Sequence, residues 1–233
     1  MKPNNPFSIV GYQGPEYFCD REKETKKLLS WIESDSNVTL IAPRRYGKTG
    51  LIRNVMHFLP KDYVGIYLDI FSTKNLAEFT NLFVSAVVGA ADTPLEKTLW
   101  TLAKFFKSCR PTVVPQADGL PKFSFDIQPS EAEASIRDAF AYLRHHERRF
   151  VVAIDEFQQI LEYPETGTEA LLRSCIQDVP WVRFVFAGSR QHLMAEMFAS
   201  AKHPFYNSTD ILSLDVIDGE KYADFAEGFF REA

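Results

Sequence analysis

Ala42-Pro43-Arg44-Arg45-Tyr46-Gly47-Lys48-Thr49 follows the apolar run Val38-Thr39-Leu40-Ile41 and opens a helical pattern running from about Lys48 to Phe58 and stopping at Pro60. Strand, short basic loop and helix, in that order, are the setting in which backbone N–H groups wrap an anionic phosphate. The positive end of the helix favours negative charge there. Gly47 permits a tight turn and close backbone approach. The Lys48 ammonium can reach β- and γ-phosphates, and the Thr49 hydroxyl oxygen can serve Mg2+. The spacing meets G-x-x-x-x-G-K-[ST] except at the first position, where Ala42 replaces glycine. Ala42, Pro43, Arg44, Arg45, Tyr46, Gly47, Lys48, Thr49 and the adjoining Gly50 are the candidate nucleotide-binding residues. The plainer reading is a basic turn before an amphipathic helix.

A second apolar run, Phe150-Val151-Val152-Ala153-Ile154, ends in Asp155-Glu156. Beside a phosphate loop, Asp155 reads as a Mg2+ ligand and Glu156 as the group that orients or deprotonates an attacking water. Open α/β sheets hold ligands at this carboxyl edge. Taken alone, the run is equally a strand ending in a solvated acidic turn. Phe184-Val185-Phe186-Ala187-Gly188-Ser189-Arg190 is a further strand with a polar end. Ser189 is placed to meet a γ-phosphate or the water, and Arg190 to stabilise transition-state charge; both also suit an ordinary loop start.

Around these segments buried strands alternate with helices, which implies an α/β fold with a parallel sheet. Asp20 is expected to cap a helix over about 21–34. Tyr63 to Asp69 reads as a strand and about 75–110 as helical, broken near Thr93-Pro94. Thr112-Val113-Val114 and Phe123 to Ile127 read as a hairpin. Residues 75–128 are expected to form an insertion of helices and hairpin on one side of the sheet, against the alternative of one crossover with a long loop. Ser130 and Glu133 suggest a capping box for a helix to about Glu147. A helix over 168–178 and a short strand at Ile211 to Leu214 follow. From Asp218, Tyr222, Phe225, Ala226, Phe229 and Phe230 recur at three- and four-residue spacing and give one apolar helix face, expected to pack on the sheet domain or a second copy. Tyr12, Tyr17 and Phe18 in the aromatic N-terminal arm suit either a nucleotide base or simple packing. His145-His146 among arginines reads as a solvated helix end.

The chain has 233 residues, with 26 basic and 31 acidic side chains and a net charge of −5. This balance does not favour bulk electrostatic binding of nucleic acid, though a local basic groove remains compatible with it. No apolar run approaches a membrane span, and the first residues carry no signal-peptide core, which points to a cytoplasmic protein. Cys19, Cys109 and Cys175 are isolated, without a CxxC pair, and read as reduced packing thiols.

Asp20-Arg21-Glu22-Lys23-Glu24, the phosphate loop, Ile154-Asp155-Glu156, Ala187-Gly188-Ser189 and Pro204-Phe205-Tyr206 occur in this order in archaeal-type P-loop ATPases of the AAA+/STAND group, also found in Bacteroidetes. The chain resembles them from about residue 6 to its end. The resemblance implies a P-loop NTPase three-layer sandwich around a parallel five-stranded sheet of order 5-1-4-3-2. It implies an ATPase domain over 1–215 and the start of a truncated helical lid over 216–233, often followed by a winged helix. It also implies ATP with Mg2+, Asp20 and Arg21 near the adenine, and Ser189 as the polar sensor. The reading is an ATPase that couples Mg-ATP binding and slow hydrolysis to a conformational switch. Its rival is a nucleotide-gated binding or signalling module with little hydrolysis. A small-molecule kinase would share the loop but not the Asp-Glu pair. Partners are expected to be ATP or ADP, and an unknown protein or DNA reached through regions beyond residue 233. A homo-oligomer is also compatible.

Overall fold

The structure, a computed structural model, describes residues 11–90, 111–114, 122–146 and 148–232. The expected helix break at Thr93-Pro94, and Cys109, lie outside them. Five strands form one parallel sheet: β1 (Val38–Ile41), β2 (Tyr63–Asp69), β5 (Arg149–Asp155), β6 (Val182–Gly188) and β7 (Asp210–Ser213). Their order is β2-β5-β6-β1-β7. Numbered along the chain within this sheet, that is 2-3-4-1-5, the expected 5-1-4-3-2 read from the other edge. β3 (Pro111–Val114) and β4 (Lys122–Phe125) pair antiparallel as a separate two-stranded sheet. β4 ends at Phe125, so Asp126 and Ile127, expected within this strand, lie past its end.

The alternation of side chains along β5 and β6 builds the layers. On one face, Val151, Ala153, Val185 and Ala187 join Leu28 and Ile32 of α1 (Glu22–Glu33) and Leu51, Ile52 and Val55 of α2 (Lys48–His57). On the other, Phe150, Val152, Ile154, Phe184 and Phe186 meet α3 (Leu76–Ala90), α4 (Ala132–Arg144), α5 (Thr168–Gln177) and α6 (Gln191–Ala199). α7 (Gly219–Glu232) closes the chain. Among the described residues no helix is long and apolar enough to cross a membrane.

Two expected caps are not formed. The N-cap position of α1 is Arg21, in left-handed backbone, and the Asp20 carboxylate bonds instead to Lys221 and the Asp218 N–H. Ser130 sits in a 3-10 turn, Pro129–Glu131, before α4. Glu133 pairs with Arg137 one helical turn on, a favourable i,i+4 spacing, and α4 ends at Arg144. The His145-His146 end is only half as expected: His145 is exposed, but the His146 ring lies edge-on to Phe150 at 5.2 Å.

Pro204-Phe205-Tyr206 has a packing role. Phe205 is 1% exposed and enters an aromatic cluster with Phe157, Phe186 and Phe198, with ring centroids 4.5 to 6.0 Å apart. The cluster secures the turn after β5 and α6 onto β6. Phe186→Ala is expected to cost about 3–5 kcal/mol, because the cluster cannot close over the lost ring. Denaturant unfolding measures this; a loss below 1 kcal/mol would show the cluster to be loosely packed.

Candidate functional site

The register of the parallel strands carries the site. Ile41 pairs with Gly188, and Ile154 with Phe186. The phosphate loop, Asp155-Glu156 and Ser189 therefore leave the sheet side by side at its carboxyl edge.

The loop turns through two left-handed positions, Arg45 and Gly47, and Gly47 is the N-cap residue of α2. Ala42 is not among the positive-φ residues, so alanine replaces the first glycine of the motif without backbone strain. Lys48 is buried, and its ammonium donates to the carbonyls of Ala42 at 3.0 Å and Pro43 at 3.2 Å. Burial lowers its pKa, and the charges of Glu156 and Asp155 oppose that shift. Arg44 lies over the ring of Phe71 at 5.3 Å. Tyr46 packs beside the α1–α2 core cluster. At Gly50 a Cβ would stand 2.9 Å from the Phe18 ring, so the arm lies directly on the first turn of α2.

Asp155 is 3% exposed. Its Oδ2 accepts the Thr49 hydroxyl at 2.7 Å and the Tyr67 phenol at 2.9 Å, and its Oδ1 accepts the Glu156 N–H at 3.0 Å. Burial, then the Asp155 charge, pushes the Tyr67 phenol above its ordinary pKa, so it stays a proton donor. Thr49 and Asp155 together offer the hard oxygen donors that suit Mg2+. With its proton committed to Asp155, the Thr49 oxygen keeps lone pairs for a cation.

Glu156 has left-handed backbone with φ 56. Its Oε2 accepts from the Ser189 hydroxyl at 2.6 Å, the Ser189 N–H at 3.3 Å and the Gln158 amide at 2.6 Å. Burial pushes the carboxyl up, but these donors and the Lys48 charge outweigh it and hold it below its ordinary value. Arg190 is turned away from the role first considered: it pairs with Glu162 in the 3-10 turn Phe157–Glu162.

Asp20 and Arg21 link the loop to the C-terminal helix. The buried Arg21 guanidinium donates to Glu24, to the Tyr46 carbonyl of the loop, and to the Asp215 carbonyl beyond β7. Asp20 accepts from Lys221 at 2.6 Å. Tyr12 donates to Asn54 at 2.8 Å, and Tyr17 stacks on Phe229 of α7 at 5.6 Å. Part of the apolar face of α7 thus meets the arm at Phe229, while Tyr222 is 50% and Phe230 72% exposed. A cleft of about 460 Å³ opens between the arm, α1 and α2, lined by Phe18, Asp20, Thr25, Asn54 and Phe58 among others.

Lys48, Thr49, Asp155, Glu156 and Ser189, singled out from sequence, are thus brought together. Tyr67 and Gln158 were not foreseen. Tyr67 reads from sequence only as part of a strand, and its partner Asp155 lies on the neighbouring strand; Gln158 falls in no expected element and lies in the 3-10 turn that follows Glu156.

Residues 18–233 match the family model of an ATPase domain found predominantly in Archaea. Over 147 residues the chain is 29% identical to an uncharacterized ATP-binding protein of Pyrococcus abyssi, covering 61% of this chain and 44% of that protein. A Walker-type ATPase of Pyrococcus abyssi superimposes with a TM-score of 0.63 at 22% identity, covering 98% of this chain and 62% of that one. The ORC1 protein of Aeropyrum pernix, solved in complex with DNA, gives 0.60 at 14% identity, covering 94% of this chain and 51% of that one. At these identities the structural likeness establishes the fold alone. The chain spans about half the length of these relatives.

The Asp20 tether yields a pH dependence. Its side-chain bond to Lys221 chiefly holds the Asp20 carboxyl down at about 2, against an ordinary 3.8. A depressed carboxyl contributes stability above its unfolded pKa and loses it as pH falls through the folded one. The tether should therefore persist at neutral pH and fail between about 3.8 and 2. Asp20→Asn should remove it at pH 7 and speed amide exchange across α7 but not β5. Equal exchange in α7 would show that the pair does not anchor the helix.

Proposed function

This chain belongs to the family of ATPase domains found predominantly in Archaea, and we propose that it couples Mg-ATP binding and slow hydrolysis to a conformational switch, as a P-loop domain of the AAA+/STAND type. The observation that carries this reading is the Thr49–Asp155 contact of 2.7 Å, with Lys48 and Glu156 beside it at one sheet edge. Ala42 to Gly50 hold the phosphates, with the Lys48 ammonium exchanging its loop carbonyls for phosphate oxygens. The hard donors of Thr49 and Asp155 fit Mg2+ and would hold it; once bound, the ion supplies positive charge to the phosphate oxygens. The cleft lined by Phe18, Asp20 and Phe58 has the size and the aromatic lining for an adenine base, and Arg21 follows Asp20 in the chain.

In hydrolysis, Glu156 takes a proton from water as its oxygen attacks the γ-phosphorus. The bond from that phosphorus to the bridging oxygen breaks, giving ADP and phosphate. The Ser189 hydroxyl orients Glu156 and senses the γ-phosphate. A carboxylate held below its ordinary pKa is a weak base, which suits slow turnover. The same donors support the second reading, a nucleotide-gated binding or signalling module in which ATP acts mainly as ligand. The partner protein, DNA or second copy that reads the switch is proposed to bind outside this nucleotide core. The DNA alternative is prompted by the ORC1 fold relative, which was solved with DNA. A cytoplasmic location is part of this reading; among the described residues Cys19 and Cys175 are free thiols.

Lys48→Ala should cost about 2–5 kcal/mol of Mg-ATP binding, since it removes a buried ammonium and leaves phosphate charge uncompensated. Calorimetry on the folded variant measures it, and unchanged affinity rejects the phosphate-loop reading. Glu156→Gln should keep ATP affinity and lose about 10²–10⁴-fold in phosphate release, because the amide cannot take the proton. Wild-type turnover in that variant would assign the base elsewhere. A wild-type chain that binds ATP but releases no phosphate would favour the binding module.

A further inference from the structure

Tyr67 lies on β2 opposite Ala153 of β5, two residues before the Asp69–Asp155 pair that ends the register. Its phenol reaches Asp155 Oδ2, the oxygen that also takes the Thr49 hydroxyl. Among the described residues no cation makes an ion pair with the Asp155 carboxylate, and the Lys48 charge acts on it without a hydrogen bond, so its hydrogen bonds come from three neutral donors. One is the backbone N–H of Glu156, fixed by chain geometry. Another is Thr49, which has a proposed role of its own. Tyr67 is the remaining donor. The Arg53 guanidinium stands 3.9 Å from the centre of its ring. Arg53 follows Thr49 by one turn of α2, so a single helix supplies the neighbouring donor and the brace on the tyrosine.

We propose that Tyr67, braced by Arg53, is a positioning residue that fixes the Asp155 carboxylate and thereby sets the divalent-metal affinity of the nucleotide site. This rests on the reading of Thr49 and Asp155 as the Mg2+ holders. The phenol is the third donor on this carboxylate; without it, the Thr49 hydroxyl and the Glu156 N–H still bond its two oxygens, but Oδ2 loses a donor and the plane of the group is held less firmly. Groups that hydrogen-bond metal ligands are typically worth 10–100-fold in metal affinity. A tyrosine whose role was only packing would be replaced by phenylalanine without effect on metal binding.

The test uses the full chain with ADP and Mn2+, followed by electron paramagnetic resonance, so that no turnover is needed. Tyr67→Phe should weaken Mn2+ binding to the ADP complex by about 10–100-fold. Its ADP affinity in EDTA should equal wild type. Arg53→Gln, at an exposed position, keeps the phenol and removes the brace, and should shift Mn2+ binding in the same direction by a smaller factor. Unchanged Mn2+ affinity in folded Tyr67→Phe overturns the proposal. So does an equal loss of metal-free ADP affinity, which would mark a structural role. Should Tyr67→Phe not fold, unchanged Mn2+ affinity in Arg53→Gln overturns it. A wild-type chain that binds ADP with no Mn2+ dependence would instead defeat the underlying assignment of Thr49 and Asp155.

Discussion

The Asp155 carboxylate is almost fully buried at the end of a central strand, and such an anion costs several kcal/mol unless it is hydrogen-bonded. Its donors come from three separate places: Thr49 at the start of α2, Tyr67 on the neighbouring strand, and the next peptide of its own chain. Satisfying one carboxylate therefore fixes the phosphate-loop helix against β2 and β5. The burial of Lys48 depends on the same group, because the Asp155 and Glu156 charges partly offset what the ammonium loses on leaving water. Removing any one of these elements would leave an interior charge with less compensation.

Much of this was legible in the sequence because its causes are local. A strand buried on both faces must be an apolar run, so Val38 to Ile41, Phe150 to Ile154 and Val182 to Ala187 announced themselves. The phosphate loop is read from eight consecutive residues. The sheet order was accessible through the family resemblance, which joined the separate motifs. The failures are non-local. Asp20 has the chemistry of a cap, yet it and Arg21 both take left-handed backbone, and its carboxylate meets Lys221 at the far end of the chain. Ser130 and Glu133 fit a capping box, but the chain enters α4 through a 3-10 turn and Glu133 finds Arg137. Arg190 suits either a transition-state contact or an ordinary loop start, and its partner Glu162 lies in a turn without a sequence signature. α6 went unread because its buried residues, Met194, Met197 and Phe198, form only a short stripe.

The groups proposed to do the chemistry already have internal partners. Lys48 is bonded to two carbonyls of its own loop, so phosphate binding is an exchange of acceptors, and the gain comes from replacing neutral oxygens with charged ones. Glu156 is held in the same way by Ser189 and Gln158, on a backbone conformation that costs of order 1–3 kcal/mol. On the proposed reading, the donors that lower its basicity must loosen before it can take a proton from water. Hydrolysis is then limited by a rearrangement at the strand ends.

That rearrangement has a physical route to the C-terminal helix. Arg21 donates to the Tyr46 carbonyl within the phosphate loop and to the Asp215 carbonyl in the segment that leads to α7, both from its Nη2 nitrogen. The guanidinium is rigid, so a shift of the loop carbonyl must be met by movement of Arg21 or by loss of one of the two bonds. Asp20, the preceding residue, holds α7 through Lys221, and Tyr17 stacks on Phe229. The arm, the loop and α7 thus share contacts within a few residues of one another. α7 is otherwise largely exposed, and a helix with so few buried contacts is the part of the fold most easily displaced. A nucleotide that moves the loop backbone would bias the position of α7 through Arg21, which is the coupling that the proposed switch would require.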